Sequence, residues 1–188
     1  MSQTSIILAS QSPRRKLLLQ QIGIQPLCIP VDIDESVLDG ELALDYCQRL
    51  ALEKAQEGLQ QSDKTLPVLG SDTIVVLNNR ILGKPKDEDD AINMLRSLAN
   101  NQHKVITAVA MANVEKQQLV TSISLVKFAM IPDVELLEYV ASKEPLDKAG
   151  SYGIQGYASR WISHISGSYS GIMGLPLYET TELLREFT

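Results

Sequence analysis

"LPVLGSDTIVVLNNRILG", residues Leu66–Gly83, decides the architecture of this chain. Val68, Leu69 and the run Ile74–Leu77 have the length and composition of a buried strand. Asn78-Asn79 reads as a tight turn, since asparagine tolerates positive φ, and Arg80–Leu82 reads as a short returning strand. One residue does not suit such a run. A carboxylate, Asp72, in a buried strand is costly unless a cation, a metal or several donors face it. It could orient a water, bind Mg²⁺, or do both. It could also cap neighbouring N–H groups at a strand bulge, which Gly70 makes plausible.

Working outward toward the N-terminus, "ILASQSPRRKLLLQQIG" (Ile7–Gly23) reads as the end of a strand followed by a helix. Ser12 suits the N-cap and Pro13 the first helical position. Leu17, Leu18, Leu19 and Ile22 make an apolar face, and Gly23 ends it. Arg14 and Arg15 then fall in the first turn, the positive end of the helix dipole, where acidic side chains are favoured. A bound phosphate would resolve that misfit: free backbone N–H groups, the Ser10 and Ser12 hydroxyls and a guanidinium fork make an anion site. Alternatively both arginines point into water or pair with a carboxylate. Next, "QPLCIPVDID" (Gln25–Asp34) reads as a strand leaving into an acidic loop. Gly40 to about Gln61 carries a helical pattern through Leu42, Ala43, Tyr46, Leu50, Ala51, Lys54 and Leu59.

Toward the C-terminus, Asp87 caps a helix running through Leu98. "HKVITAVAMAN" (His103–Asn113) and "TSISLVKFAMI" (Thr121–Ile131) read as two strands joined by a polar turn. Asp133 starts a helix through Ser142, and Pro176 a last one through Glu186. Between them Leu146–Pro176 is glycine-rich and mostly irregular, and a connection this long is more often functional than idle. Strands interleaved with helices point to an α/β fold with a mixed, twisted sheet and flanking helices.

Composition narrows the functions. A chain of 188 residues suggests one domain, 1–188, with room for two lobes. A net charge of −6 argues against nucleic acid or acidic membranes as general partners, so any anion site is local. The apolar runs are too short to span a bilayer, and Met1–Thr4 lacks the basic start of a signal peptide. Cys28 and Cys47 have no zinc spacing and suit a reducing cytoplasm. His103 and His164 alone cannot build a histidine metal site or a Ser-His-Asp triad.

Three further features bear on chemistry. Lys54, on a helix otherwise suited to packing, and Lys84, extended before Pro85 in "LGKPK", are point charges that suit a polyphosphate chain, or ordinary surface lysines. Gly150, Gly153 and Gly156 recur every third residue and let backbone approach a ligand, although turn chemistry alone explains such runs. Gln155 among them carries a donor and an acceptor that can pair with the edge of a base. Acid residues without a histidine, helix-start arginines and lysines together suggest metal-assisted phosphoryl chemistry. Asp72 and Glu35 would be the oxygen ligands of Mg²⁺ or Mn²⁺.

Five blocks, in order, resemble the Maf family of nucleoside triphosphate pyrophosphatases over nearly the whole chain. They are "LASQSPRRKLL" (Leu8–Leu18), "GSDTIV" (Gly70–Val75), "LGKP" (Leu82–Pro85), "DKAGSYGIQG" (Asp147–Gly156) and "GSYSGIMGLPLYET" (Gly167–Thr180). The combination of Ser-Pro-Arg-Arg, Asp-Thr and Gly-Ile-Gln-Gly is similar to the branch acting on dTTP and UTP. The resemblance implies two lobes around a central cleft, a divalent metal, a cytoplasmic location and often a homodimer. It implies that Asp72 is the catalytic acceptor of the water's proton, with a part in metal positioning. Ser10, Arg14, Lys54 and Lys84 would hold the triphosphate, and Arg14, Thr73 and Gln155 would set base preference. The implied reaction is attack of water at the α-phosphorus, releasing a nucleoside monophosphate and pyrophosphate, and so limiting misincorporation of non-standard nucleotides. The competing expectation is a nucleotide-binding regulator of septum formation with little turnover.

Overall fold

The computed structural model describes residues 5–187; Met1–Thr4, read above for targeting, lie outside them. The elements are β1 (Ile7–Leu8), α1 (Pro13–Gln21), β2 (Leu27–Cys28), α2 (Ala43–Gln61), β3 (Val68–Leu77), β4 (Arg80–Leu82) and α3 (Glu88–Leu98). There follow β5 (Gln102–Ala112), β6 (Gln117–Phe128), α4 (Asp133–Ala141), β7 (Ile162–Ser166), α5 (Tyr169–Ile172) and α6 (Leu177–Arg185). Hydrogen-bonded neighbours run β2-β1-β3-β5-β6-β7, with β4 on β3. Parallel and antiparallel pairs both occur, so the sheet is mixed and the α/β expectation holds.

The chain divides into two compact units. The first comprises 1–72, 107–122 and 174–188. Its β1 pairs in parallel with both β2 and β3, Ile7 lying opposite Leu27 on one side and Val68 on the other. Ile7, Ala9 and Val68 are buried there against Ile29, Val31, Leu59 and Leu66. Helix α1 begins where Pro13 was expected to start it, with Ser12 at the N-cap.

The second unit comprises 73–106 and 123–173. Asn78 and Asn79 have φ of 50° and 63°, both in the left-handed region that a two-residue hairpin turn of the primed type demands. Val75 consequently faces Leu82 in an antiparallel pair. Asp87 caps α3 by accepting from the Asp90 N–H at 2.8 Å. Ala91, Leu95 and Leu98 of α3 enter a core with Phe128, Tyr139 and Trp161. The glycine-rich stretch is more ordered than expected. It holds 3₁₀ segments at Glu144–Asp147, Ala149–Ser151 and Tyr157–Trp161, then β7 and α5. These pieces are too short and too often broken by glycine to show a period.

Candidate active site

Asp72 is 8% exposed, and its position follows from how α2 lies on β3. A Cβ added at Gly70 would stand 2.4 Å from both the Ala51 carbonyl oxygen and the Ala55 amide nitrogen. Only glycine fits, and this close approach, rather than a bulge, is its reason for being in the strand. Ala51, Ala55 and Gly58 keep the facing side of the helix small. Lys54, within the same turns, is thereby brought down to the strand two residues beyond Gly70. Its Nζ donates to Asp72 Oδ1 at 2.7 Å and also meets Glu35 Oε1 at 2.6 Å. Two carboxylates thus converge on one ammonium, which compensates the buried charge.

Glu35 sits on an exposed acidic loop, but the loop is tied down. The Tyr46 hydroxyl donates to the Glu35 carbonyl at 2.8 Å. Arg49 donates to Glu41 at 2.6 Å and to the Ser36 carbonyl at 2.9 Å. Burial, and then the negative charges of Asp72 and Glu35, push the Tyr46 hydroxyl up to about 12. Cys47 donates to the Asp72 carbonyl at 3.5 Å, and burial beside Asp72 raises its thiol to about 12 as well. Both groups are protonated donors at neutral pH.

The paradox of two arginines at the start of α1 is resolved by Arg15. Its Nε donates to the Gly174 carbonyl at 2.9 Å and its Nη1 to Ser10 Oγ at 3.3 Å. Desolvation lowers the Arg15 pKa, and Asp72 is the largest attraction opposing that. Ser71 Oγ donates to the same Gly174 carbonyl at 3.0 Å. Ser10, the residue before Asp72 and the turn before α6 are therefore joined through one carbonyl oxygen. Ser10 Oγ also accepts from the Ser12 N–H at 3.1 Å, whereas Ser12, although at the N-cap, makes no capping bond with its own side chain. Arg14, the neighbour, is half-buried.

Of the residues expected to act, Ser10, Arg14, Lys54, Asp72 and Glu35 belong to the first unit. Thr73, Lys84 and Gln155 belong to the second: Thr73 is half-buried directly after Asp72 in β3, and Lys84 and Gln155 are exposed. Tyr46, Arg49, Ser71 and Gly174 were not anticipated. Arg49 had one visible signal, its four-residue spacing to Glu53. Gly174 had none, because its contribution is a backbone carbonyl.

Asp72 and Glu35 fit a divalent metal by the chemistry of their donors. Among the described residues, no group of three or more His, Cys, Asp or Glu gathers as a metal cage. Two carboxylates without a third suit Mg²⁺, which keeps waters and takes its remaining ligands from substrate phosphates. Both carboxylates already meet at the Lys54 ammonium, so they can face a common cation.

Known proteins bear on this geometry. The family model described as Maf-like protein matches residues 5–187. The dTTP/UTP pyrophosphatase of Pseudoalteromonas translucida is 50% identical over 183 residues, covering 97% of each chain. Its namesake in Shewanella oneidensis is 52% identical over 189 residues, again with 97% of each chain covered. The Escherichia coli protein of that name is 48% identical over 184 residues, covering 98% of this chain and 93% of that one.

Proposed function

The chain belongs to the Maf family, and from that premise we propose that it hydrolyses nucleoside triphosphates, dTTP and UTP foremost, to the monophosphate and pyrophosphate. The observation that carries the proposal is the buried Asp72 carboxylate held by Lys54 beside Glu35, with the Ser10 hydroxyl and Arg15 linked to the same strand. The three relatives bear the name of an enzyme, so the binding-only reading is set aside.

In this reading Asp72 accepts the proton of the attacking water. The water oxygen bonds to the α-phosphorus, and the bond from that phosphorus to the oxygen bridging to the β-phosphate breaks. Lys54 keeps Asp72 ionised and oriented, so that it works as a base. The first turn of α1 supplies backbone N–H groups, the Ser10 hydroxyl and the Arg14 guanidinium for phosphate oxygens. Lys84 adds charge for the leaving pyrophosphate. Asp72 and Glu35 are the residues that would hold a divalent metal, which when bound neutralises charge on the phosphates. Thr73, Arg14 and Gln155 choose the base. An accepting oxygen and a donating nitrogen on Gln155 match N3–H and O4 of thymine or uracil. We read the enzyme further as cytoplasmic and homodimeric, the habit of its family. Cys28 and Cys47 form no disulfide, in keeping with a reducing compartment.

The test is pyrophosphate release by the purified protein with Mg²⁺ or Mn²⁺ across all common NTPs and dNTPs. The expected ranking has dTTP and UTP first. Release from no nucleotide, or purine triphosphates first, would overturn the proposal.

A further inference from the structure

Gln155 stands at the tip of a turn whose foundations are hidden. The Gly156 N–H donates to the Gly153 carbonyl at 3.1 Å, which makes Gln155 the third residue of a four-residue turn. Gln155 is exposed, but Tyr152 and Ile154 on either side of Gly153 are only 6% and 7% exposed. A Cβ at Gly156 would stand 1.8 Å from Glu144 Oε1, so the turn lies directly on its own unit. The deepest anchor is Tyr152. Its hydroxyl is 2.7 Å from Nε2 of His103, which is 2% exposed on β5. The Phe128 ring meets both rings edge to face, with centroids 5.3 Å from His103 and 4.9 Å from Tyr152.

The tautomer can be counted out. His103 Nδ1 has no hydrogen-bond partner. With the proton on Nδ1, Nε2 accepts from the Tyr152 hydroxyl and one buried donor is left unmatched. With the proton on Nε2, the tyrosine hydrogen and Nδ1 are both left unmatched. The first arrangement is cheaper. A buried tyrosine–histidine bond with an unmatched nitrogen is a poor device for stability alone, since phenylalanine and leucine would pack there without cost. What the bond adds is direction: it fixes the tyrosine ring, and with it the backbone three residues before Gln155.

We infer that Tyr152 and His103 are positioning residues for base selection, holding the Gln155 turn in the one orientation that distinguishes thymine and uracil from cytosine. This inference rests on the proposed role of Gln155. A glutamine amide can flip to suit cytosine, and an accurately placed turn is what denies it the matching approach.

The experiment measures kcat and KM for dTTP and dCTP with wild type, Tyr152→Phe, His103→Gln, His103→Leu, the Tyr152→Phe/His103→Leu double variant and Gln155→Ala, each checked for folding by circular dichroism. Tyr152→Phe is expected to narrow the dTTP/dCTP ratio of kcat/KM by about three- to tenfold, the scale of one lost hydrogen bond, with the loss in KM rather than kcat. His103→Gln, which keeps an acceptor, should retain more of the ratio than His103→Leu. The double variant should be no worse than the worse single one, because both remove the same bond. If Gln155→Ala narrows the ratio and Tyr152→Phe does not, the positioning role is wrong while the Gln155 reading stands. If Gln155→Ala leaves the ratio unchanged, the Gln155 reading falls and takes this inference with it.

Discussion

Lys54 Nζ lies 2.7 Å from Asp72 Oδ1, at a point where the helix bearing the lysine packs on the strand bearing the aspartate with only Gly70 between their backbones. The lysine balances a carboxylate that a buried strand could not otherwise hold. It also leaves that carboxylate ionised and able to take a proton.

Asp72→Asn should therefore abolish turnover while nucleotide binding survives. The amide keeps the shape and can still meet neighbouring groups, but it neither accepts a proton nor anchors a cation. Removing one anion can even tighten binding by lessening repulsion of the triphosphate. Equilibrium binding and pyrophosphate release, measured on the same folded protein, check both halves. Near-normal turnover would remove Asp72 from its role.

Lys54→Met should cost more stability than a typical surface substitution, about 3 kcal/mol, because it strands a buried carboxylate. Adding Asp72→Asn to that variant should recover part of the loss, since the stranded charge is then gone. Urea unfolding of the two single variants and the double variant reads this directly. Simple additivity would mean that the pair is not coupled.

Arg14 and Arg15 should separate by phenotype. Arg14→Ala is expected to weaken triphosphate binding by about 1.5–3 kcal/mol, the scale of a charged hydrogen bond. Its effect on the unfolding midpoint should be small. Arg15→Ala removes donors from the Gly174 carbonyl and Ser10, so about 1–3 kcal/mol of stability should go with it. Calorimetry for binding and thermal melts for stability distinguish the two. Equal losses of stability at both positions would contradict the division.

Much of this fold could be read from the sequence, for reasons specific to each element. The Asn78-Asn79 hairpin and the Asp87 cap are local chemistry, fixed by a few adjacent residues. Asp72 stood out because a carboxylate in an apolar run needs an explanation. The pairing of Lys54 with Asp72 was not legible, because it depends on the register of α2 across β3. The small residues Ala51, Ala55, Gly58 and Gly70 encode that register only once the two elements are known to touch. The choice between Arg14 and Arg15 was equally hidden from the helix itself, since the acceptor that holds Arg15 lies 159 residues away. The Tyr152–His103 bond spans 49 residues and looks, in sequence, like two unrelated buried rings.

Acid should weaken the protein through His103. Burial pushes the imidazole down to about 4 from an ordinary value of 6.5. The unfolded chain takes up a proton below about pH 6.5, while the folded one resists until about pH 4, so stability falls as pH drops through that window. The loss from this one group approaches about 3 kcal/mol at the lower end. Urea unfolding of wild type and His103→Gln at pH 7 and pH 4.5 should show a smaller drop in the variant. An equal drop would show that His103 does not carry this part of the acid sensitivity.

The most direct test of the central claim is hydrolysis of dTTP in ¹⁸O-labelled water with a divalent metal, followed by mass spectrometry of both products. Attack at the α-phosphorus requires one labelled oxygen in dTMP and none in pyrophosphate. Label in pyrophosphate, release of orthophosphate in its place, or no turnover at all would contradict the account.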